Sequence, residues 1–206
     1  MTVSRAAANH LFAQPCDFVM GGVELETLPP AQLSEIAFAG RSNVGKSSLV
    51  NALTGRTTLA KASNTPGRTQ QINFFRLADA LMLVDLPGYG YAQAPRKDVK
   101  RWTRLVKDYL TGRPNLRRVL LLIDARHGFK EADSGIMDLL DEAAVSYQIV
   151  LTKADKVKPA QLAEVQEASL AAIKRRPAAH PQIIATSSET RDGIEPLRAE
   201  LAAFAT

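Results

Sequence analysis

The stretch IAFAGRSNVGKSSLVNAL, residues 36–53, joins a short apolar run to a polar turn and then to an amphipathic pattern. Its centre, GRSNVGKS (Gly40–Ser47), fits G-x-x-x-x-G-K-[ST], a loop whose backbone N–H groups cradle phosphates. Gly40 and Gly45 let the chain wrap an anion without Cβ clashes. The N–H groups that open the following helix then face that anion, with the helix dipole behind them. Lys46 is placed to reach the β and γ phosphates, and the Ser47 hydroxyl to bind Mg2+. An apolar strand before the loop and a helix after it are the context the motif requires.

Outward from this loop, strand-length apolar runs recur at 34–40, 71–77, 80–88, 117–126, 146–155 and 181–188. Most are continuous Ile, Val and Leu, as in strands buried on both faces of a largely parallel sheet. Helical patterns fall at 46–54, about 95–111, about 131–144, 158–175 and 193–204. Only Ala78 and Asp79 separate the second and third runs, too short for a crossover, so that pair is expected to be an antiparallel hairpin. The expected fold class is therefore α/β, a three-layer sandwich of the P-loop NTPase type. Its sheet has six strands, mainly parallel, with one antiparallel strand. Residues 1–33 show no clear period and contain Gly21-Gly22 and Pro29-Pro30. They are expected to be an N-terminal extension packed on a domain spanning 34–206, partly helical near its start. Residues 55–70 form a long polar loop, a candidate switch.

Three further motifs stand at strand ends. In VDLPGYG (84–90), Asp85 lies thirty-nine positions after Lys46 and is placed to hold Mg2+ through water, while the Gly88 N–H faces a γ-phosphate. In LTKADK (151–156), Asp155 can accept from the N1 and N2 hydrogens of guanine, which adenine does not offer, and the Lys153 stem can lie over the base. In ATSSET (185–190), the backbone around Ser187 and Ser188 can meet the guanine O6. Each is weak alone. Their order, each at the carboxyl end of a strand, is where open α/β sheets bind ligands.

Composition agrees with a globular chain: 206 residues, 46% hydrophobic, 23% charged, net charge +5. No apolar stretch approaches the roughly 18 residues that span a bilayer, so no membrane partner is expected. The first residues lack the pattern of a secretory signal. The single cysteine, Cys16, suits a reducing cytoplasm and reads as a small apolar residue. The three histidines have no metal-ligand spacing.

EIAFAGRSNVGKSSLVNAL (35–53), TPGRTQQINFF (65–75), DLPGYGYA (85–92), LTKADK (151–156) and the serine pair 187–188 resemble the EngB (YihA/YsxC) ribosome-biogenesis GTPases. These belong to the TrmE-Era-EngA-EngB-Septin-like, translation-factor-class GTPases. The resemblance implies a GTP-hydrolysing cytoplasmic switch in large ribosomal subunit assembly, needed for normal cell division, and a monomer. It puts nucleotide contacts on Gly40, Arg41, Ser42, Asn43, Val44, Gly45, Lys46, Ser47 and Ser48, and on Gly67, Arg68, Thr69, Gln70 and Gln71. It adds Asp85, Leu86, Pro87 and Gly88, then Thr152, Lys153, Ala154 and Asp155, and finally Thr186, Ser187 and Ser188. Mg2+ would be held by Ser47, by Asp85 through water and by Thr69, with Thr65 the second choice. Thr152 stands where most GTPases have Asn. That is expected to remove an amide bracing the phosphate loop and to lower nucleotide affinity.

Tyr89 follows D-x-x-G where many small GTPases carry a water-orienting Gln, and its ring has no amide to replace one. Catalysis is then expected to rest on Lys46, the Gly88 N–H and Mg2+. Asn43 has two readings of equal weight: a ligand for K+ at the phosphates, or a residue suited to the loop's backbone. From Pro95 to Arg118 nine basic and two acidic residues leave a local charge of +7. Lys97, Lys100, Arg101, Arg104 and Lys107 share one helix side, a candidate rRNA-binding face or a solvated one. Val99, Trp102, Val106 and Tyr109 face the sheet. Two rival functions remain: a P-loop phosphotransferase of a small molecule, and an RNA-binding module with incidental hydrolysis.

Overall fold

A computed structural model of the chain describes residues 3–60, 71–90 and 96–205, with the backbone alone over 96–102. The strands are β1 (Cys16–Gly22), β2 (Glu35–Gly40), β3 (Ile72–Leu77), β4 (Leu81–Asp85), β5 (Leu116–Asp124), β6 (Tyr147–Thr152) and β7 (Ile184–Ala185). The helices are α1 (Arg5–Ala13), α2 (Lys46–Thr54), α3 (Arg96–Gly112), α4 (Glu131–Glu142), α5 (Pro159–Ile173) and α6 (Ile194–Ala202). One sheet takes all seven strands in the order β1-β3-β4-β2-β5-β6-β7. β3 runs antiparallel to both β1 and β4, and the remaining pairs are parallel.

The α/β sandwich, the hairpin and the single reversed strand follow the sequence expectation. The strand count does not, because β1 adds a seventh. Its sequence, CDFVMGG, shows no alternation, since it lies at the sheet edge with most of its outer positions exposed. A bulge between Phe18 and Met20 further breaks the period. β7 shrinks to two residues where eight were expected. α1 is fastened as well: Phe12 is fully buried beneath the Arg198 guanidinium, and Arg198 donates to Asn9 at 3.1 Å.

Every residue of β2 and of β6 is buried, Glu35, Gln148 and Thr152 included, as expected of strands covered on both faces. Val106, Tyr109, Met137, Leu140 and Ile173 bring α3, α4 and α5 onto one face. Phe12, Leu49, Leu53, Leu197 and Leu201 bring α1, α2 and α6 onto the other. The carboxyl ends of β2, β4, β5, β6 and β7 therefore share one edge of the sheet. The strand order turns back across β2, between β4 and β5, which opens a crevice there.

Beneath the sheet's opposite edge lies a buried ion pair. Glu35 accepts from the Tyr109 hydroxyl at 2.8 Å and from Arg113 Nε at 3.2 Å, and the Arg113 guanidinium also stacks 5.7 Å from the Phe74 ring centre. Glu35→Ala strips both donors of their acceptor inside the core. It is expected to cost about 3–5 kcal/mol. Chemical denaturation measures this, and a loss under about 1 kcal/mol would contradict it.

Candidate functional site

Residues 40–48 turn around the carboxyl end of β2 and into α2. Gly45 caps α2 at φ 106°, a left-handed conformation that glycine takes without strain. Gly40 is forced by space rather than angle, since a Cβ there would lie 2.7 Å from Val44 Cγ1. Asn43 is also left-handed, at φ 61°, which asparagine tolerates better than most residues. Arg41, Ser42, Lys46, Ser47 and Ser48 complete the turn. Val44 is buried beneath it.

Two neighbours fix this loop. The end of β6 supplies the first: Thr152 Oγ1 donates to Val44 O at 2.6 Å, and Lys153 Nζ donates to Asn43 O at 2.7 Å. The brace expected to be lost with threonine at 152 is therefore made, by a hydroxyl instead of an amide. The Lys153 ammonium also pairs at 2.8 Å with Asp124, an acid outside every sequence motif. Asp124 stands at the carboxyl end of β5, the same signal that singled out Asp85. Burial works against its charge, yet hydrogen bonds from Arg126 and Lys153 hold its carboxyl well below the ordinary range.

The segment after β4 supplies the second. Ser42 N donates to Tyr89 O at 3.1 Å and Tyr89 N to Gly40 O at 3.3 Å. Leu86 and Pro87 are buried under it. Gly88 lies so close that a Cβ would stand 3.3 Å from Ser42 N and 3.4 Å from Lys46 Nζ. Asp85 Oδ1 sits 4.0 Å from Lys46 Nζ, buried and with no hydrogen-bond partner among the described residues. Burial raises the Asp85 carboxyl above its ordinary range, opposed by Lys46 and the Asn73 side chain. Tyr89 points away from the loop into the core, where its hydroxyl donates to Asp133 Oδ1 at 2.8 Å. Burial and that carboxylate raise the Tyr89 hydroxyl well above its ordinary range, so it remains a donor.

Asp155 follows β6. Its carboxyl is lowered by the Ser187 hydroxyl and by Lys156, whose ammonium lies 3.0 Å away. Ala154 N donates to Thr186 O at 3.1 Å, which ties the two loops together. Thr186 and Ser187 are buried, with Ser188 half-exposed beside them. Four of the sequence motifs thus meet at one sheet edge. Gln71 turns to Asn73, donating at 3.0 Å, and packs on Gly21. Gly67, Arg68, Thr69 and Gln70, with the alternative Thr65, lie outside the described residues, as do the side chains of Lys97, Lys100, Arg101 and Trp102. Arg104 is largely exposed and pairs with Asp108 at 3.6 Å, and Lys107 pairs with Glu142 at 3.3 Å.

Among the described residues no cluster of three or more His, Cys, Asp or Glu side chains forms a metal cage. Nor is any helix there long and apolar enough to cross a membrane.

Residues 35–153 match the family described as 50S ribosome-binding GTPase. A probable GTP-binding protein EngB of Rhodospirillum rubrum is 64% identical over 205 residues, covering 97% of this chain and 89% of its own. The chain belongs to the EngB family of GTP-binding proteins. The corresponding EngB protein of Cereibacter sphaeroides is 59% identical over 195 residues, 95% of this chain and 90% of its own. In fold, the chain resembles the crystal structure of a probable GTP-binding protein EngB at TM-score 0.66 and 24% identity, over 82% of this chain and 98% of that one. It also resembles Era crystallised with MgGDPNP and a segment of 16S ribosomal RNA, at TM-score 0.61 and 22% identity, over 84% of this chain and 57% of that one. The enzyme class expected from the sequence, a GTPase, is the class of this EngB chain.

The lowered Asp124 carboxyl has a consequence in acid. Its contribution to stability is complete above the unfolded value of about 3.9 and is lost as the pH falls below it. Asp124→Asn is therefore expected to be less stable than the wild type at neutral pH. Between about pH 5 and pH 3 it should lose less stability than the wild type. Denaturant midpoints across that range measure this, and parallel acid profiles would contradict it.

Proposed function

We propose that this EngB protein binds GTP and GDP in the crevice beside β2 and cleaves GTP as a switch in assembly of the large ribosomal subunit. The observation that carries the reading is the convergence of the 40–48 loop, Asp85, Gly88 and Asp155 at one sheet edge. Backbone N–H groups of 40–48 and the Lys46 ammonium would hold the phosphates, with Gly88 N–H at the γ-phosphate. Asp155 would select guanine over adenine, and the Thr186–Ser188 backbone would meet O6.

Mg2+ fits this donor set. Asp85 Oδ1, which accepts no hydrogen bond among the described residues and lies 4.0 Å from Lys46 Nζ, and the Ser47 hydroxyl would supply the one or two protein contacts this ion uses with phosphates, and Thr69 is the remaining candidate. When bound, Mg2+ would neutralise charge developing on the phosphate oxygens. Lys46 and the Gly88 N–H would stabilise the same charge without it. Tyr89 is held by Asp133, which supports leaving it out of water activation. For Asn43, the left-handed backbone supports the geometric role, and a K+ site on its side chain is the second role.

The family's description as ribosome-binding supports a large-subunit partner, and with it the roles in ribosome biogenesis and cell division in the cytoplasm. The basic side of α3 is the face we assign to rRNA, with the chain acting as a monomer. It directly follows the loop that meets the γ-phosphate, so nucleotide state can reach it. The extension, fastened through α1 and β1, is assigned to the same domain. Single-turnover GTP hydrolysis with and without large ribosomal subunits tests the switch. The wild type is expected to bind subunits with steep salt dependence and to hydrolyse faster with them. Charge reversal at Lys100, Arg101 and Arg104 should weaken binding and flatten that dependence. Unchanged binding would exclude this face, and a rate indifferent to subunits would favour the incidental-hydrolysis reading.

A further inference from the structure

The Asp133 carboxylate is fully buried on α4, outside every motif that marks the nucleotide crevice, and it joins three segments. Its Oδ1 accepts from the Tyr89 hydroxyl at 2.8 Å. Its Oδ2 accepts from Lys130 N at 2.8 Å, closing the first turn of α4, and lies 3.4 Å from Arg41 Nε. Arg41 also donates from its terminal nitrogen to Gly128 O at 3.0 Å. One carboxylate therefore ties the phosphate loop through Arg41, the segment after β4 through Tyr89, and the start of α4.

The backbone gives that tie a direction. Arg41 and Tyr89 form an isolated parallel bridge, and Tyr89 bonds to Gly40 on one side and Ser42 on the other. Gly88 is the next residue back along the chain, packed against Ser42 and Lys46. The peptide that presents Gly88 N–H thus leads into a side chain whose far end is fixed in the core. A buried network of this kind, two hydrogen bonds and one ion pair on a single carboxylate, resists small displacements, because each broken contact leaves a charged or polar atom unmet.

We infer that Asp133 is a positioning residue of the GTPase reaction: by holding Tyr89 and Arg41 together, it sets where Gly88 N–H lies relative to the phosphate loop. The inference rests on the guanine nucleotide reading above. Its signature is selectivity for the third phosphate. GDP is gripped by the loop itself, whereas a γ-phosphate also needs Gly88 in register.

The test uses the full chain carrying Tyr89→Phe, Asp133→Asn or both, with thermal melting to follow the fold. A non-hydrolysable GTP analogue and GDP are titrated into each. Each single variant is expected to bind the analogue about tenfold more weakly while GDP affinity changes by less than about twofold. The double variant should be no weaker than the worse single, since both act through one contact. If Asp133→Asn does not fold, Tyr89→Phe, which keeps the ring, decides alone. Equal losses of analogue and GDP, no loss of either, or an additive double variant would overturn the positioning role. A wild type that binds guanine and adenine nucleotides equally would overturn the site reading, and this inference with it.

Discussion

The phosphate loop of this protein hangs on a hydrogen bond that its own motif does not contain. Thr152 Oγ1 reaches Val44 O at 2.6 Å across the crevice, and beside it Lys153 Nζ reaches Asn43 O at 2.7 Å. A turn with two left-handed residues, Asn43 and Gly45, has few internal bonds to keep it open. Its Asn43 and Val44 carbonyls face away from the turn, and carbonyls so placed need donors. β6 delivers both from consecutive positions at its carboxyl end. Asp124, one strand away on β5, fixes the Lys153 ammonium in turn. The order of the strands is therefore what makes the anion cradle possible.

The same logic extends to the proposed guanine side. Asp155 lies three residues beyond Thr152, so the chain that braces the phosphate end also presents the carboxylate proposed to read the base. The backbone bond from Ala154 N to Thr186 O carries the registration on to the next loop. The other side of the crevice is set independently by Tyr89, whose backbone straddles the loop and whose hydroxyl is anchored on α4. The segments proposed to meet phosphate, base and γ-phosphate are thus held by three connected but distinct sets of bonds.

Much of this was legible in the sequence because its signals are local. Strands buried on both faces read as unbroken Ile, Val and Leu, and 34–40 and 146–155 contain β2 and β6. The 40–47 loop declares itself by glycine spacing. What was not legible depends on neighbours distant in the chain. β1 is a strand only because β3 lies beside it, so its own residues carry no period. Thr152 reads as a lost amide until Val44 is seen opposite. Asp124 and Asp133 look like ordinary acids at a strand end and a helix start, and they acquire roles only from Lys153, Tyr89 and Arg41.

Guanine selectivity at this edge of the sheet is proposed to reside in Asp155. Calorimetric titration of GDP and of ADP, in Mg2+, into the wild type and into Asp155→Ala tests it most directly. The wild type is expected to bind GDP tighter than ADP by about a hundredfold or more, with most of this ratio lost in the variant. Equal affinity of the wild type for the two nucleotides, or a ratio unchanged by the substitution, would contradict it.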